Sequence, residues 1–426
     1  MSMWRKNHWF WRIVFVAAIL YFLARGPWRA IHDSDDFLIV FTATRCWLHG
    51  LNPYSASDLA ATAQAAGLHV TARHFITSRS VYLPPTFALL APLALLPWNI
   101  AQTFWLACLV ALSAWSIVLL ARMAKGWELA AASFLLAFAP LHTGLSKGQP
   151  SVLVCGLICL SIFTPQPYAA GLMLGLAASL KPQLAIGFML LALGYREYRK
   201  VITACVFGLV ATGLGLMFMA PGWFPLLTSN LWQDAGGSFG LNAPTSASWY
   251  LLVNIHTLIP RALYGTPLEV IVYAIIVLIT VFAAGQVSDY WIAAALIAAA
   301  TVLIGYHRFY EAQILWFGIP AILFVRHKRI SLCLWAGYAV LLVPGQTMTA
   351  LWLGTRTDSP WSWLLLRQDT LAILLIWATF AWIAITRHGV WGDQRRSRNR
   401  NSGEAISVPY EPKRSPSQLG SGSLGS

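Results

Sequence analysis

The stretch IHDSDDFLIVFTATRCWLHGLNPY, residues 31–54, follows the first long apolar segment and holds three of the chain's 15 acidic residues. These are Asp33, Asp35 and Asp36. Asp, Glu, Lys and Arg together make up only 10% of the chain, and a carboxylate close to a membrane is costly. This stretch is therefore the first candidate for a functional site.

The composition predicts an integral membrane protein. The chain has 426 residues, 58% of them hydrophobic, and a mean hydropathy of +0.62. Long apolar runs recur throughout, and a spanning helix needs about 20 such residues. We predict an all-α polytopic membrane protein in which one transmembrane domain, residues 1–388, takes up nearly all of the chain.

The net charge of +14 does not indicate nucleic-acid binding. Lys and Arg occur in short clusters between apolar runs, which is the pattern that sets membrane topology. The six cysteines are scattered and have no His or acidic residue at ligand spacing, so we predict no zinc site at them. We interpret them as small apolar residues of the bundle.

The basic clusters orient the chain if all of them are cytoplasmic. This threading predicts a bundle of about 12 crossings with both termini cytoplasmic. It places amphipathic interfacial helices in a first outer loop, 36–81, and a second outer loop at 221–248. The basic tail, 389–426, is predicted to be disordered because it cannot bury enough apolar surface. The clusters are at Trp4–Lys6 and Arg12, at Arg122 and Lys125, at Arg196–Lys200, at Arg326–Arg329 and at Arg387–Arg400.

Two apolar regions allow more than one threading. Residues 84–121 are either two spans or a short broken segment, 84–97, followed by one span, 99–121. The charge rule favours the second, because two spans would leave Arg122 and Lys125 outside. The run 168–195 is too long for one span, and Lys181-Pro182 interrupts it, so we predict two short helices with Lys181 at the outer turn.

The same threading places the remaining polar residues on the outer face, together with the acidic stretch. They are Lys147-Gly148-Gln149, Lys181 and the segment His307–Glu311. Each has a plain structural alternative: a turn for Lys147-Gly148-Gln149, a snorkelling helix end for Lys181, and a charged loop flank for His307–Glu311.

The functional interpretation gives the acids and cations opposite roles. A carboxylate near low-dielectric material and other acids is suited to accept a proton from a hydroxyl, although Asp33, Asp35 and Asp36 could also belong to a hydrated loop. A divalent cation ranks second, since the three acids are adjacent and their directions diverge. Lys181 and Arg308 are suited to anionic phosphate oxygens.

Five motifs in order resemble glycosyltransferase family 87, over roughly residues 10–390. They are Asp36-Phe37 through Ala43 with Gly50 and Pro53-Tyr54; Tyr82-x-Pro84-Pro85 before an apolar run that ends at Leu96-Pro97; Gly148-Gln149; Ala170-Gly171 through Lys181-Pro182; and His307-x-x-Tyr310. Glu311 stands where the family pattern leads us to expect Asp.

The resemblance implies the GT-C fold, with an active site on the outer face of a bacterial plasma membrane. It implies inverting transfer of a sugar, mannose first, from a polyprenyl-phosphate donor to a glycolipid or glycan hydroxyl, without a cofactor. Asp36 would then be the base and Asp35 the fallback, while Asp33 would be a solvated neighbour. Lys181, His307 and Arg308 would bind the donor phosphate. The residues that would bind substrate are Tyr54, Tyr82, Gln149, Tyr310 and Glu311.

Two other functions compete with this prediction. A lipid or polysaccharide flippase or transporter would also have the spans and an intramembrane lysine, but internal repeats are expected of it and we find none convincing. A non-enzymatic membrane scaffold has no need for acids and cations on one face.

Overall fold

The computed structural model describes residues 8–68, 70–235, 249–259, 266–304, 307–323, 325, 327–354 and 359–386. Within these ranges the protein is helical, and the only β-type pairing is an isolated bridge between Leu252 and Arg308. The prediction of an all-α membrane protein is confirmed. The tail 389–426 and residues 236–248 of the second outer loop lie outside the described residues.

The helices follow the predicted apolar runs closely. Helix α1 covers the first predicted span, and the break predicted near residue 97 separates α6 from α7. The run 168–195 forms two helices, α11 and α12, with Lys181 between them. In chain order the helices are α1 (His8–Arg25), α2 (Pro27–Ala30), α3 (Asp35–Leu48), α4 (Ala56–Ala65), α5 (Ala72–Thr77), α6 (Pro84–Ala94), α7 (Trp98–Arg122), α8 (Glu128–Ala137), α9 (Ala139–Ser146), α10 (Pro150–Phe163), α11 (Pro167–Leu180), α12 (Pro182–Gly194), α13 (Tyr198–Leu216), α14 (Trp223–Ala235), α15 (Pro267–Gln286), α16 (Tyr290–Leu303), α17 (Gly318–Leu323), α18 (Lys328–Val340), α19 (Gly345–Leu353), α20 (Pro360–Leu365) and α21 (Gln368–Thr386), with 3₁₀ helices at Trp249–Leu251, Ile255–Leu258 and Phe309–Phe317.

The predicted number of about 12 crossings is not confirmed. By length and composition, the described residues contain five candidate spans, or up to seven if each of two bent helix pairs is one span. Several apolar helices fall short of a full crossing. Helix α10, for example, has 14 residues, which is about 21 Å of helix against a hydrocarbon core about 30 Å thick.

Helix α3 carries the acidic stretch into the protein interior. We expected amphipathic interfacial helices in the first outer loop, 36–81, and α3, α4 and α5 occupy that region. Most residues of α3 are buried, and the helix packs against α6 and α4. Phe37 stacks on Trp105 of α7 with ring centroids 5.0 Å apart. The first turn of α3, which contains Asp36, is thereby fixed against the long helix α7.

Small residues bring α11 and α13 close together. A Cβ atom at Gly171 would lie 2.5 Å from the carbonyl oxygen of Lys200, and one at Gly175 would lie 2.9 Å from that of Ala204. Two glycines one turn apart are the usual means by which membrane helices approach at backbone distance. This contact holds α11, and with it Lys181 at its end, in a fixed position.

Candidate active site

Two proline junctions position the polar residues of the site. Gln149 precedes Pro150 at the start of α10, and Lys181 precedes Pro182 at the start of α12. The residue before a proline is pushed out of the helical region, and Gln149 (φ −68°, ψ 130°) and Lys181 (φ −147°, ψ 87°) are both extended. Each side chain therefore leaves the helix line and turns into the bundle.

The turn before Gln149 also holds the start of α3. The backbone N–H groups of Asp36 and Phe37 donate to the carbonyl of Lys147 at 3.1 and 3.3 Å, which satisfies donors that have no partner inside their own helix. Gly148 follows with φ +65°, and a Cβ there would lie 2.8 Å from the Cβ of Phe37. Only glycine fits both the left-handed backbone and this contact.

Gln149 joins the acid to the cation. Its Nε2 donates to Oδ2 of Asp36 at 2.6 Å and to the hydroxyl of Tyr310 at 2.8 Å. Its Oε1 accepts from Nζ of Lys181 at 3.0 Å. Gln149 is only 3% exposed, so the whole carboxamide is committed to these protein contacts.

Lys181 is buried and fully hydrogen-bonded. Its ammonium donates to Glu311 Oε1 at 2.6 Å, to Ser151 Oγ at 2.8 Å and to Gln149 Oε1. An ammonium has three N–H donors, so this set uses all of them. Glu311 supplies the counter-charge that makes a buried lysine tolerable.

The segment after α16 completes the site. His307 Nδ1 lies 2.8 Å from Oε2 of Glu311, and the backbone N–H of Arg308 donates to the same oxygen at 3.3 Å. The backbone N–H of Val253 donates to the His307 carbonyl at 3.1 Å, which pins the segment to the chain before α15. Arg308 is half-buried, and its charge acts on the Asp36 carboxylate.

Asp33 and Asp35 form a more exposed rim beside this network. Nζ of Lys147 donates to Asp33 at 2.7 Å and to Asp35 at 3.2 Å. Burial of the Lys147 ammonium by itself lowers its pKa, but the hydrogen bonds and charges of Asp33 and Asp35 outweigh this, and the pKa is raised. The three predicted acids thus separate, with Asp36 in the inner network and the other two paired at the rim.

Two of the three tyrosines predicted to bind substrate, Tyr54 and Tyr82, contact each other. The Tyr54 hydroxyl donates to the Tyr82 backbone carbonyl at 2.8 Å, and burial raises the pKa of this phenol. Tyr54 is 3% and Tyr82 is 9% exposed. This hydroxyl ties the loop after α3 to the start of α6.

Ser151 is the site residue that sequence reasoning missed. It is fully buried, and its Oγ accepts from Lys181 and lies 3.3 Å from Gln149 Oε1. Its position two residues after Gln149, in the first turn of α10, was the available signal. Among the described residues, no group of three or more His, Cys, Asp and Glu side chains could hold a metal ion.

The sequence profile of glycosyltransferase family 87 matches residues 81–306, which is more than half of the chain. The chain belongs to this family. As a family 87 member it is a membrane glycosyltransferase, and the predicted resemblance is confirmed. No curated protein and no solved structure matches the chain.

The family match covers only part of the site. Tyr82, Gln149, Ser151 and Lys181 lie inside residues 81–306, whereas Asp36 and the residues from His307 to Glu311 lie outside it. In this family 87 protein the two groups meet through the hydrogen bonds of Gln149 and Lys181.

Proposed function

We propose that this membrane glycosyltransferase moves a sugar from a polyprenyl-phosphate donor to a hydroxyl of a glycolipid or glycan acceptor. Mannose is the first sugar to test. The reaction inverts the anomeric carbon, uses Asp36 as general base and requires neither metal nor cofactor. The active site faces the outside of a bacterial plasma membrane, and the bundle around it has GT-C architecture.

The observation that carries this proposal is the network in which Gln149 joins Asp36 to Lys181. Asp36 accepts one hydrogen bond, through Oδ2, from Gln149. Its Oδ1 accepts none from the described residues, so this oxygen is available for an acceptor hydroxyl. A base must lie within hydrogen-bond reach of the proton it takes, and Asp36 is the acid at this site that is not committed to an ion pair with a lysine.

The transfer step needs a cation where the donor phosphate leaves. The acceptor oxygen attacks the anomeric carbon and its proton passes to Asp36, while the bond from that carbon to the phosphate oxygen breaks. The phosphate leaves with the electron pair. Arg308 and His307 meet the developing charge directly. Lys181, whose three N–H groups are engaged, contributes through its positive charge.

The test uses purified protein in nanodiscs with radiolabelled polyprenyl-phosphate mannose, then other sugars, and membrane lipid extract as acceptor. We expect labelled product, and we expect Asp36→Asn to lower the rate by roughly 10²- to 10⁴-fold. Asp35→Asn is the matched control, since Asp35 pairs with Lys147 at the rim, and it should retain most of the activity.

Two results would overturn the proposal. Transfer by Asp36→Asn at the wild-type rate would remove Asp36 as the base. Movement of the labelled lipid between leaflets without sugar transfer would instead assign the flippase function.

A further inference from the structure

Gln149 is a neutral side chain between two charges of opposite sign. One end of its carboxamide lies 2.6 Å from Asp36 and the other lies 3.0 Å from Lys181. Without it, an acid and a lysine in a buried site would be drawn into a direct ion pair, because their attraction is strong where water is excluded. The carboxamide occupies the position that this pair would need.

The chemistry of the partners fixes the orientation of the carboxamide. An ammonium can only donate and an ionised carboxylate can only accept. Oε1 must therefore face Lys181, and Nε2 must face Asp36. A flipped amide would set N–H against N–H at Lys181 and oxygen against oxygen at Asp36. The hydroxyls of Tyr310 and Ser151 can rotate to suit either arrangement, so the two charged groups decide it.

The two charges consequently have different neutralising partners. Lys181 pairs with Glu311 at 2.6 Å, while Asp36 is held by a neutral donor. The other charges that act on Asp36 are Arg308 and, at the rim, Lys147, which Asp33 and Asp35 offset. A carboxylate in a direct lysine ion pair is a weak base, since the cation stabilises its deprotonated form.

We propose that Gln149 is a positioning residue that keeps Lys181 off Asp36 and holds Oδ2, so that Oδ1 remains a working base. This inference rests on the proposed function, with Asp36 as base. It assigns Gln149 a role different from substrate binding. Its effect therefore falls on kcat and on the pH dependence rather than on donor affinity.

Two substitutions should move the pH–rate profile in opposite directions. The rate needs deprotonated Asp36, so it falls on the acid side. Gln149→Leu removes the carboxamide that separates Lys181 from Asp36. Lys181 then approaches Asp36, and the acid limb of the pH–rate profile moves to lower pH. Gln149→Glu is nearly isosteric but sets a second carboxylate beside Asp36, and the acid limb moves to higher pH. For both we expect kcat to fall roughly 10- to 100-fold, with the donor KM within about twofold of wild type.

The matched control is Gln102→Leu. Gln102 is half-buried on α7, and its Nε2 donates to the backbone carbonyls of Ala30 and Ile31 at 3.1 and 3.3 Å, outside the network. We expect its acid limb to stay in place. Radiolabelled polyprenyl-phosphate mannose serves as donor for all variants, and size-exclusion profiles report folding. If Gln149→Leu does not fold, the direction of the Gln149→Glu shift still decides.

A raised donor KM with unchanged kcat would overturn the inference, because Gln149 would then bind the donor. Acid limbs that stay in place, or that move the same way in both variants, would also overturn it. The Asp36→Asn variant, measured in the same assay, distinguishes a failure of the role inferred for Gln149 from a failure of Asp36 as the base. If that variant is inactive while the Gln149 variants behave as wild type, only this inference fails. If it is active, the proposed base fails first.

Discussion

Nε2 of Gln149 donates a 2.6 Å hydrogen bond to Oδ2 of Asp36, across 113 positions of sequence. This bond joins the first turn of α3 to Gln149, the residue that immediately precedes α10. The carbonyl of Lys147 reinforces the join by accepting from the Asp36 backbone N–H at 3.1 Å. The candidate base therefore depends on a turn that belongs to a different part of the chain.

Glu311→Gln should destabilise the protein strongly. The Glu311 side chain is 4% exposed and its partner Lys181 is 10% exposed, so the substitution leaves a buried ammonium without its counter-charge. Breaking one partner of such a buried pair costs about 3–5 kcal/mol of unfolding free energy. The measurement is thermal unfolding in detergent, where we expect a clearly lower Tm.

Asp33→Asn is the control for that change. Asp33 also pairs with a lysine, Lys147, at 2.7 Å, but the two side chains are 46% and 34% exposed. The expected cost is at most about 1 kcal/mol, because water screens an exposed partner. Equal Tm losses in the two variants would show that the buried Lys181–Glu311 pair contributes no more to stability than the exposed pair.

Gly148→Ala should disturb the site more than the same change at Gly50. Both glycines are left-handed, with φ +65° and +67°, but a Cβ at Gly148 would lie 2.8 Å from Phe37 while nothing lies within 4 Å at Gly50. Each variant carries about 1–2 kcal/mol of backbone strain. Gly148→Ala adds a clash of about 1–3 kcal/mol.

The clash at Gly148 also has a kinetic consequence. Phe37 is the neighbour of Asp36, so we expect a lower kcat for Gly148→Ala and near wild-type kcat for Gly50→Ala. Tm and kcat measured together test this. Equal effects in the two variants would argue that contact with Phe37 does not hold Asp36 in place.

The orientation of the site can be measured by cysteine labelling. Asp35→Cys replaces a side chain that is 52% exposed. Lys125→Cys lies beyond the far end of α7, whose 25 residues extend about 38 Å. With the exposed Cys205 and Cys333 replaced by Ser, a membrane-impermeant maleimide should label Asp35→Cys in intact cells. Lys125→Cys should react only after permeabilisation, and the reverse pattern would overturn the proposed outer-facing site.

The positions of the helices could be predicted because the signals are local. Apolar runs gave α1 and α7, and Lys181-Pro182 divided 168–195 into α11 and α12. The number of crossings could not be predicted in the same way. A 14-residue apolar helix such as α10 or α16 has the composition of a span but not its length, and its neighbours decide where it lies.

The candidate site could be predicted only in part. Asp36, Gln149, Lys181, His307, Tyr310 and Glu311 were singled out as polar residues at the ends of apolar runs, and the structure brings them together. Ser151 was missed, because a serine in an apolar helix commonly bonds only to its own backbone. Tyr54 is predicted to bind substrate, and its hydroxyl donates to the Tyr82 carbonyl, a contact that could not be predicted because the two residues are 28 positions apart.

The sequence alone predicts a helical membrane protein that resembles glycosyltransferase family 87, with most of the candidate site residues at a few short breaks between apolar runs. Hydropathy and proline junctions depend on residues that are close together in the sequence, so they predict the positions of the helices without knowledge of the tertiary structure. The pairing of the charges follows from the three-dimensional packing of the helices and could not be predicted. Lys181 pairs with Glu311, 130 positions away, and Gln149 separates it from Asp36. Such pairing is set by distances and burial between helices that are far apart in the chain.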